Sequence, residues 1–158
     1  MNSDQDRLYL QLALQLATQS VTEGGGPFGA VVIKDGQIIG RGHNQVTLIN
    51  DPTAHAEVIA IRDACKNSQN FDLTACTLYA SCEPCPMCVA SIYWARISRV
   101  VYAATSADAA QAGFDDAFIA SELCKPYPQR SIKIQQCDCP NKTQSFELWE
   151  QKKNKLRY

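Results

Sequence analysis

The sequence predicts an α/β protein, a three-layer α/β/α sandwich around a mixed five-stranded sheet. Three observations carry this. The chain opens with an amphipathic helical pattern; two β-rich runs then flank an Asp35-Gly36 turn signal; and from about Pro52 onward helical and β-rich segments alternate. A hairpin followed by alternating elements calls for a mixed sheet with helices on both faces. At 158 residues one core suffices, so 1–158 reads as a single domain that needs no disulfide staples.

The elements follow in order. Leu8, Leu12 and Leu16, with Tyr9 and Ala13 beside them, recur at helical spacing, and this helix should stop near Gly24-Gly25-Gly26-Pro27. Phe28 to Lys34 and Gln37 to Asn44 are the two strands of the hairpin. Pro52-Thr53 opens a second helix running to about Ala64, and a third strand is expected around Thr77 to Ala80. A helix from about Cys85 to Ala95 leads to a fourth strand near Arg99 to Ala103. A short helix over Asp115 to Glu122, a fifth strand over Ser131 to Gln135 and a terminal helix from Thr143 to about Lys155, with Phe146 and Trp149 on one face, complete the chain.

Composition excludes several classes. No apolar run approaches the ~20 residues needed to span a bilayer, so a membrane protein is not expected. The start Met1-Asn2-Ser3-Asp4-Gln5-Asp6 has neither the basic lead-in nor the apolar stretch of a secretory signal, and the eight cysteines are irregularly spaced. Mostly free thiols in a cytoplasmic protein are the expectation. Fifteen basic and sixteen acidic residues give a net charge of −1, which argues against a nucleic-acid partner and for a small, weakly charged one. The tail Lys152-Lys153-Asn154-Lys155-Leu156-Arg157 could touch phosphate or simply be a solvated helix end.

The chemistry concentrates in His55-Ala56-Glu57 and Pro84-Cys85-Pro86-Met87-Cys88. Cys85 and Cys88 are three apart, which places two sulfurs at one helix start, within reach of a shared metal at ~2.3 Å. The unpaired N–H groups of a helix N-terminus favour the thiolates a metal needs, and Pro86 suits the first helical position. A lone Cys-x-x-Cys also suits a redox pair; the upstream His-x-Glu favours zinc. His55, Cys85 and Cys88 make three protein ligands to one Zn2+, leaving the fourth position to water, the arrangement of a catalytic site. Cys82 is a weaker candidate for a fourth, structural ligand. Glu57 either stabilises a helix start or acts as the base beside the water. Residues two apart on an ideal helix point about 200° apart, so His55 and Glu57 converge only if His55 lies at the helix end with non-helical torsions. His43, the other histidine, reads as structural.

His-x-Glu followed by Pro-Cys-x-x-Cys is the pattern of zinc deaminases. From Gly25 to Tyr158 the sequence resembles the bacterial guanine deaminases of the cytidine-deaminase-like superfamily. The segments carrying the resemblance are Gly25-Gly26-Pro27-Phe28-Gly29-Ala30-Val31, Asn50-Asp51-Pro52-Thr53-Ala54-His55-Ala56-Glu57, Ser81-Cys82-Glu83-Pro84-Cys85-Pro86-Met87-Cys88, Ile92-Tyr93-Trp94-Ala95-Arg96 and Ala112-Gly113-Phe114-Asp115-Asp116. The zinc motifs are common to cytosine, cytidine, adenosine and pterin-related deaminases. Ala-Gly-Phe-Asp-Asp is similar to the guanine enzymes in particular.

The resemblance implies a cytidine-deaminase-like fold and hydrolysis of guanine to xanthine and ammonia in purine catabolism or salvage. It implies Glu57 and Asp116 as catalytic groups and Phe28, Asn44, Ala56, Trp94 and Tyr158 as substrate contacts. Taken without it, Asn44 could end a strand, Phe28 could be core and Asp116 could cap a helix. It also implies a homodimer in which a segment of about 143–158 is swapped, bringing Tyr158 over the neighbouring site. The stretch from Ser131 to Lys142, with Cys137 and Cys139, departs from the family pattern. Alternative activities are those of a tRNA adenosine deaminase or of another small-heterocycle deaminase, acting on cytosine-type or aminotriazine substrates. A zinc-stabilised binding module without turnover is the reading from a different class.

Overall fold

A computed structural model describes residues 3–158, which divide into two compact units, one ending at Ala117 and the other spanning Phe118–Tyr158. The first unit is built on a four-stranded sheet of β1 (Gly29–Lys34), β2 (Gln37–His43), β3 (Thr77–Cys82) and β4 (Arg99–Ala104), in the order β2-β1-β3-β4. β1 runs antiparallel to both β2 and β3, whereas β3 and β4 are parallel. The expected hairpin is present. Asp35 and Gly36 both have positive φ, 49° and 76°, the paired left-handed torsions that match a two-residue turn to the twist of its strands.

β1 is buried on both faces, and its alternation assigns each side chain to a layer. Val31 and Ile33 face α1 (Ser3–Thr22) with Tyr9 and Tyr79. Ala30 and Val32 join Leu78 and Ala80 of β3 against α3 (Ala56–Ser68) and α4 (Pro86–Trp94), through Ala56, Ala60, Ala64, Ile92 and Ala95. Burying side chains the size of Val32 and Leu78 stabilises the fold by about 1.5–3 kcal/mol each. The buried stripe of α1 is Tyr9, Ala13 and Ala17, flanked by Leu12 and Leu16, while Leu8 is 56% exposed. Small residues therefore hold this helix close to the sheet. α1 is fixed at its start by Asp6, whose carboxylate takes a two-pronged bond from Arg99 of β4 (2.6 and 2.8 Å) and one from the Tyr79 hydroxyl of β3 (2.6 Å).

On the other face, β2 approaches the start of α3 so closely that a Cβ at Gly42 would stand 2.2 Å from the Ala56 carbonyl oxygen. Only glycine permits that approach, which sets the depth of the helix end carrying His55. Two short helices were absent from the sequence expectation: α2 (Val46–Ile49), a single turn, and α5 (Ser106–Gln111). α5 begins with a reciprocal capping box between Thr105 and Asp108, a signal present in the sequence as Thr-x-x-Asp.

The second unit holds most of α6 (Ala117–Cys124), a 3-10 turn over Tyr127–Gln129, and α7 (Gln144–Gln151), shorter than the expected Thr143 to Lys155. The expected fifth strand over Ser131 to Gln135 is not formed, and the sheet has four strands. Ile132 and Ile134 alternate as a strand should, but they are 74% and 46% exposed. The first N–H of the segment goes to the Glu122 carboxylate (2.6 Å) instead of a ladder, and the Ser131 hydroxyl binds the same oxygen (2.7 Å). With Lys125 also on Glu122, these donors hold that carboxyl near 2.

Candidate active site

Two helix starts converge on one point. His55 is the N-cap of α3 with extended torsions (φ −70°, ψ 154°), and Cys85 is the N-cap of α4 with nearly the same pair (φ −65°, ψ 166°). The non-helical torsions required for His55 and Glu57 to converge are thus present. Pro86 takes the first helical position, and Cys88 falls one turn in. The Cys85 Sγ, Cys88 Sγ and His55 Nδ1 atoms are each 3.6 Å from the other two. Among the described residues this is the group able to hold a metal; Cys82 is not part of it, and its thiol donates to the Thr105 carbonyl (3.4 Å).

The donor set of the trio, two sulfurs and one ring nitrogen, is of the kind that zinc takes. A hydrogen bond from the Cys88 thiol, opposed by burial and aided by the His55 ring, brings the Cys85 thiol down to about 4, so that sulfur is a thiolate at neutral pH. Cys88, donating to it and buried, is held as the thiol, while the Cys85 sulfur raises the His55 ring above its usual range. A metal taking these three atoms as ligands displaces the protons on Cys88 and His55. These residues fit a single zinc.

His55, Cys85 and Glu57 open into a cavity of about 710 Å³ whose wall also includes Phe28, Asn44, Phe114 and Asp116. Glu57 is 7% exposed, and burial pushes its carboxyl up. Asn44 is oriented by its backbone neighbours: its Oδ1 accepts from the N–H groups of Gly26 (3.3 Å) and Val46 (3.2 Å). The amide nitrogen is then the part left to donate. Phe28 is half-buried and meets Phe114 edge to face, centroids 5.1 Å apart at 87°. Asp115 makes the turn at the head of α6 by accepting from Ala117 N–H (2.9 Å), and both Asp115 and Asp116 line the cavity.

Not every residue implied as a substrate contact lines this wall. Ala56 is fully buried, and as the first residue of α3 it can offer only a first-turn N–H. Trp94, at the end of α4, is 67% exposed and outside the lining; Tyr158 is 73% exposed in the second unit. Phe114 and Glu83 also line the cavity without a role expected from the sequence, and Glu83 accepts from the Ser106 N–H at the head of α5 (3.0 Å). The Thr105-x-x-Asp108 box was the available signal for that helix.

Residues 3–104 match the family of cytidine and deoxycytidylate deaminase zinc-binding regions. The chain belongs to this family. Within it, the chain is 52% identical over 151 residues to guanine deaminase of Bacillus subtilis (strain 168), covering 95% of this chain and 97% of that protein. A tRNA-specific adenosine deaminase of Streptococcus pyogenes serotype M18 is 35% identical over 153 residues, covering 96% of each. An X-ray structure of guanine deaminase from Bacillus subtilis superposes with a TM-score of 0.93 at 51% identity, covering 100% of this chain and 99% of that one. Family membership agrees with the metal identity drawn from the ligand set, one zinc per chain.

Proposed function

We propose that this protein hydrolyses guanine to xanthine and ammonia, with one zinc ion held by His55, Cys85 and Cys88. The observation that carries the substrate assignment is the 52% identity to a guanine deaminase over nearly the whole chain, set against 35% to a tRNA deaminase. The cavity carries the reaction class, because a buried carboxylate opens into the same space as the metal trio.

Zinc supplies Lewis acidity that lowers the pKa of water toward ~7. Everything else falls to the chain. Glu57 takes a proton from the attacking water as a bond forms to carbon 2 of guanine, and returns it to the adjacent ring nitrogen. Glu57 next takes the proton of the newly added hydroxyl and passes it, directly or through Asp116, to the amino group, so that the carbonyl forms as ammonia departs. The carbon–nitrogen bond breaks and ammonia leaves. The raised Glu57 carboxyl suits this shuttle, since burial favours the form that carries the proton. Asn44 donates its amide N–H to an acceptor on the purine, Ala56 contributes its first-turn N–H, and Phe28 packs against the ring.

Trp94 and Tyr158 complete the site in a homodimer whose segment of about 143–158 is exchanged between subunits. Supporting this is the apolar surface the single chain leaves uncovered: Phe146 (70%), Leu148 (60%), Leu156 (73%), Tyr93 (79%) and Trp94. Among the described residues no helix is long and apolar enough to cross a membrane. The reading places the enzyme in the cytoplasm, in purine catabolism or salvage.

The test is ammonia release and product identification with zinc-loaded protein, offering guanine, cytosine, cytidine, adenine, an aminotriazine and a tRNA anticodon arm in parallel. Xanthine from guanine, with little turnover of the others, is expected. Inosine formation in the tRNA arm without guanine turnover would transfer the same site to the tRNA reading.

A further inference from the structure

Among the described residues two pairs of cysteine sulfurs lie within 4 Å of each other. One is Cys85 and Cys88 at the metal trio; the other is Cys137 and Cys139, whose Sγ atoms are 3.9 Å apart. The pairs differ in surroundings. The first has His55 at 3.6 Å, whereas no third His, Cys, Asp or Glu atom completes a metal-holding group around the second. Metal binding is therefore the weaker use of this pair. Both thiols are exposed and reduced, and residues 133–139 form neither helix nor strand. Nothing in a hydrogen-bonded ladder holds the two sulfurs apart. Closing the 3.9 Å between them to the ~2.05 Å of a disulfide asks for an approach of about 2 Å within this irregular segment.

We propose that Cys137 and Cys139 are a redox dithiol that exchanges reversibly with low-molecular-weight disulfides, independently of the deaminase chemistry. One thiolate attacks a sulfur of the small disulfide, forming a mixed disulfide and releasing one small thiol. The neighbouring thiolate then attacks the protein sulfur of that mixed disulfide, forming the Cys137–Cys139 bond and releasing the second thiol. Two electrons and two protons pass from the protein to the small disulfide. The spacing makes the second step intramolecular, so the effective concentration of the resolving thiol far exceeds that of any thiol in solution. The ring so closed contains Asp138, whose carboxylate holds Lys142 in the turn before α7.

The experiment uses full-length, zinc-loaded protein, so that Cys85 and Cys88 are occupied. It is equilibrated in buffers of reduced and oxidised glutathione, quenched with an alkylating agent, digested and weighed. The peptide containing Cys137 and Cys139 should escape alkylation and be lighter by two hydrogens than its dithiol form, and added reductant should restore the thiols. Cys137→Ser and Cys139→Ser should each trap a glutathione adduct on the remaining cysteine. Stable glutathione adducts on both cysteines of the wild type, a bridge from either one to Cys124, or thiols still reduced when exposed Cys124 is fully modified would overturn the proposal.

Discussion

At the scale of single residues, what an atom can do in the cavity is decided by what its neighbours already occupy. Asn44 shows this most clearly, because Gly26 and Val46 N–H groups consume its oxygen and leave its nitrogen as donor. Asn44→Asp preserves both acceptor roles but removes the donor. We expect the variant to fold and bind zinc, with kcat/KM on guanine lowered about 10–100-fold, the cost of one lost hydrogen bond of about 1.5–3 kcal/mol. A rate equal to wild type would remove Asn44 from substrate recognition. Cys85→Ser should behave differently. Removing the thiolate of the trio should lower zinc content, turnover and melting temperature together, and a fully metallated, active variant would mean that the ligand set is wrong.

At the scale of elements, the bond from Asp6 to Arg99 and Tyr79 ties α1 to β3 and β4, and it carries a pH signature. The guanidinium beside Asp6 holds its carboxyl well below the usual range, and burial with the Asp6 charge pushes Tyr79 up to about 12. A depressed acid contributes stability above its unfolded value of ~3.9 and loses it as pH falls toward the folded value; a raised phenol contributes below ~10 and loses it as pH climbs through the folded value. Asp6→Asn should therefore unfold at lower denaturant than wild type at pH 7, and the gap should close as pH falls below ~4. A gap unchanged by acid would contradict the assignment.

Element-scale physics also explains what was legible in the sequence. The hairpin, the two parallel strands and the helices bearing the metal motifs rest on local signals that tertiary contacts reinforce. The geometric objection over His55 and Glu57 even required the N-cap torsions found for His55. Ile132 and Ile134 carried a strand pattern too, but Glu122 captured the Ser131 N–H and no ladder formed. Phe114 as part of the cavity wall was not legible, because its contact with Phe28 crosses 86 positions that local periodicity does not link.

At the scale of the whole molecule, the proposed homodimer is what would cover the apolar side chains left exposed on one chain. The protein should run as a dimer by light scattering. Tyr158→Ala should lower turnover on guanine while leaving zinc content and dimerisation intact, and an unaffected rate would remove the tail from the proposed site. Deletion of 143–158 should instead abolish both the dimer and activity; a fully active monomer would contradict the exchanged segment.

In the proposed site the ligands and the proton carrier are separate: three atoms hold zinc, and Glu57 moves the proton. The direct measurement is zinc content alongside xanthine production for wild type and Glu57→Gln. One zinc per chain is expected in both, with turnover in the variant lower by about 10²–10⁴-fold. Near-normal turnover, or a loss of zinc matching the loss of rate, would contradict it.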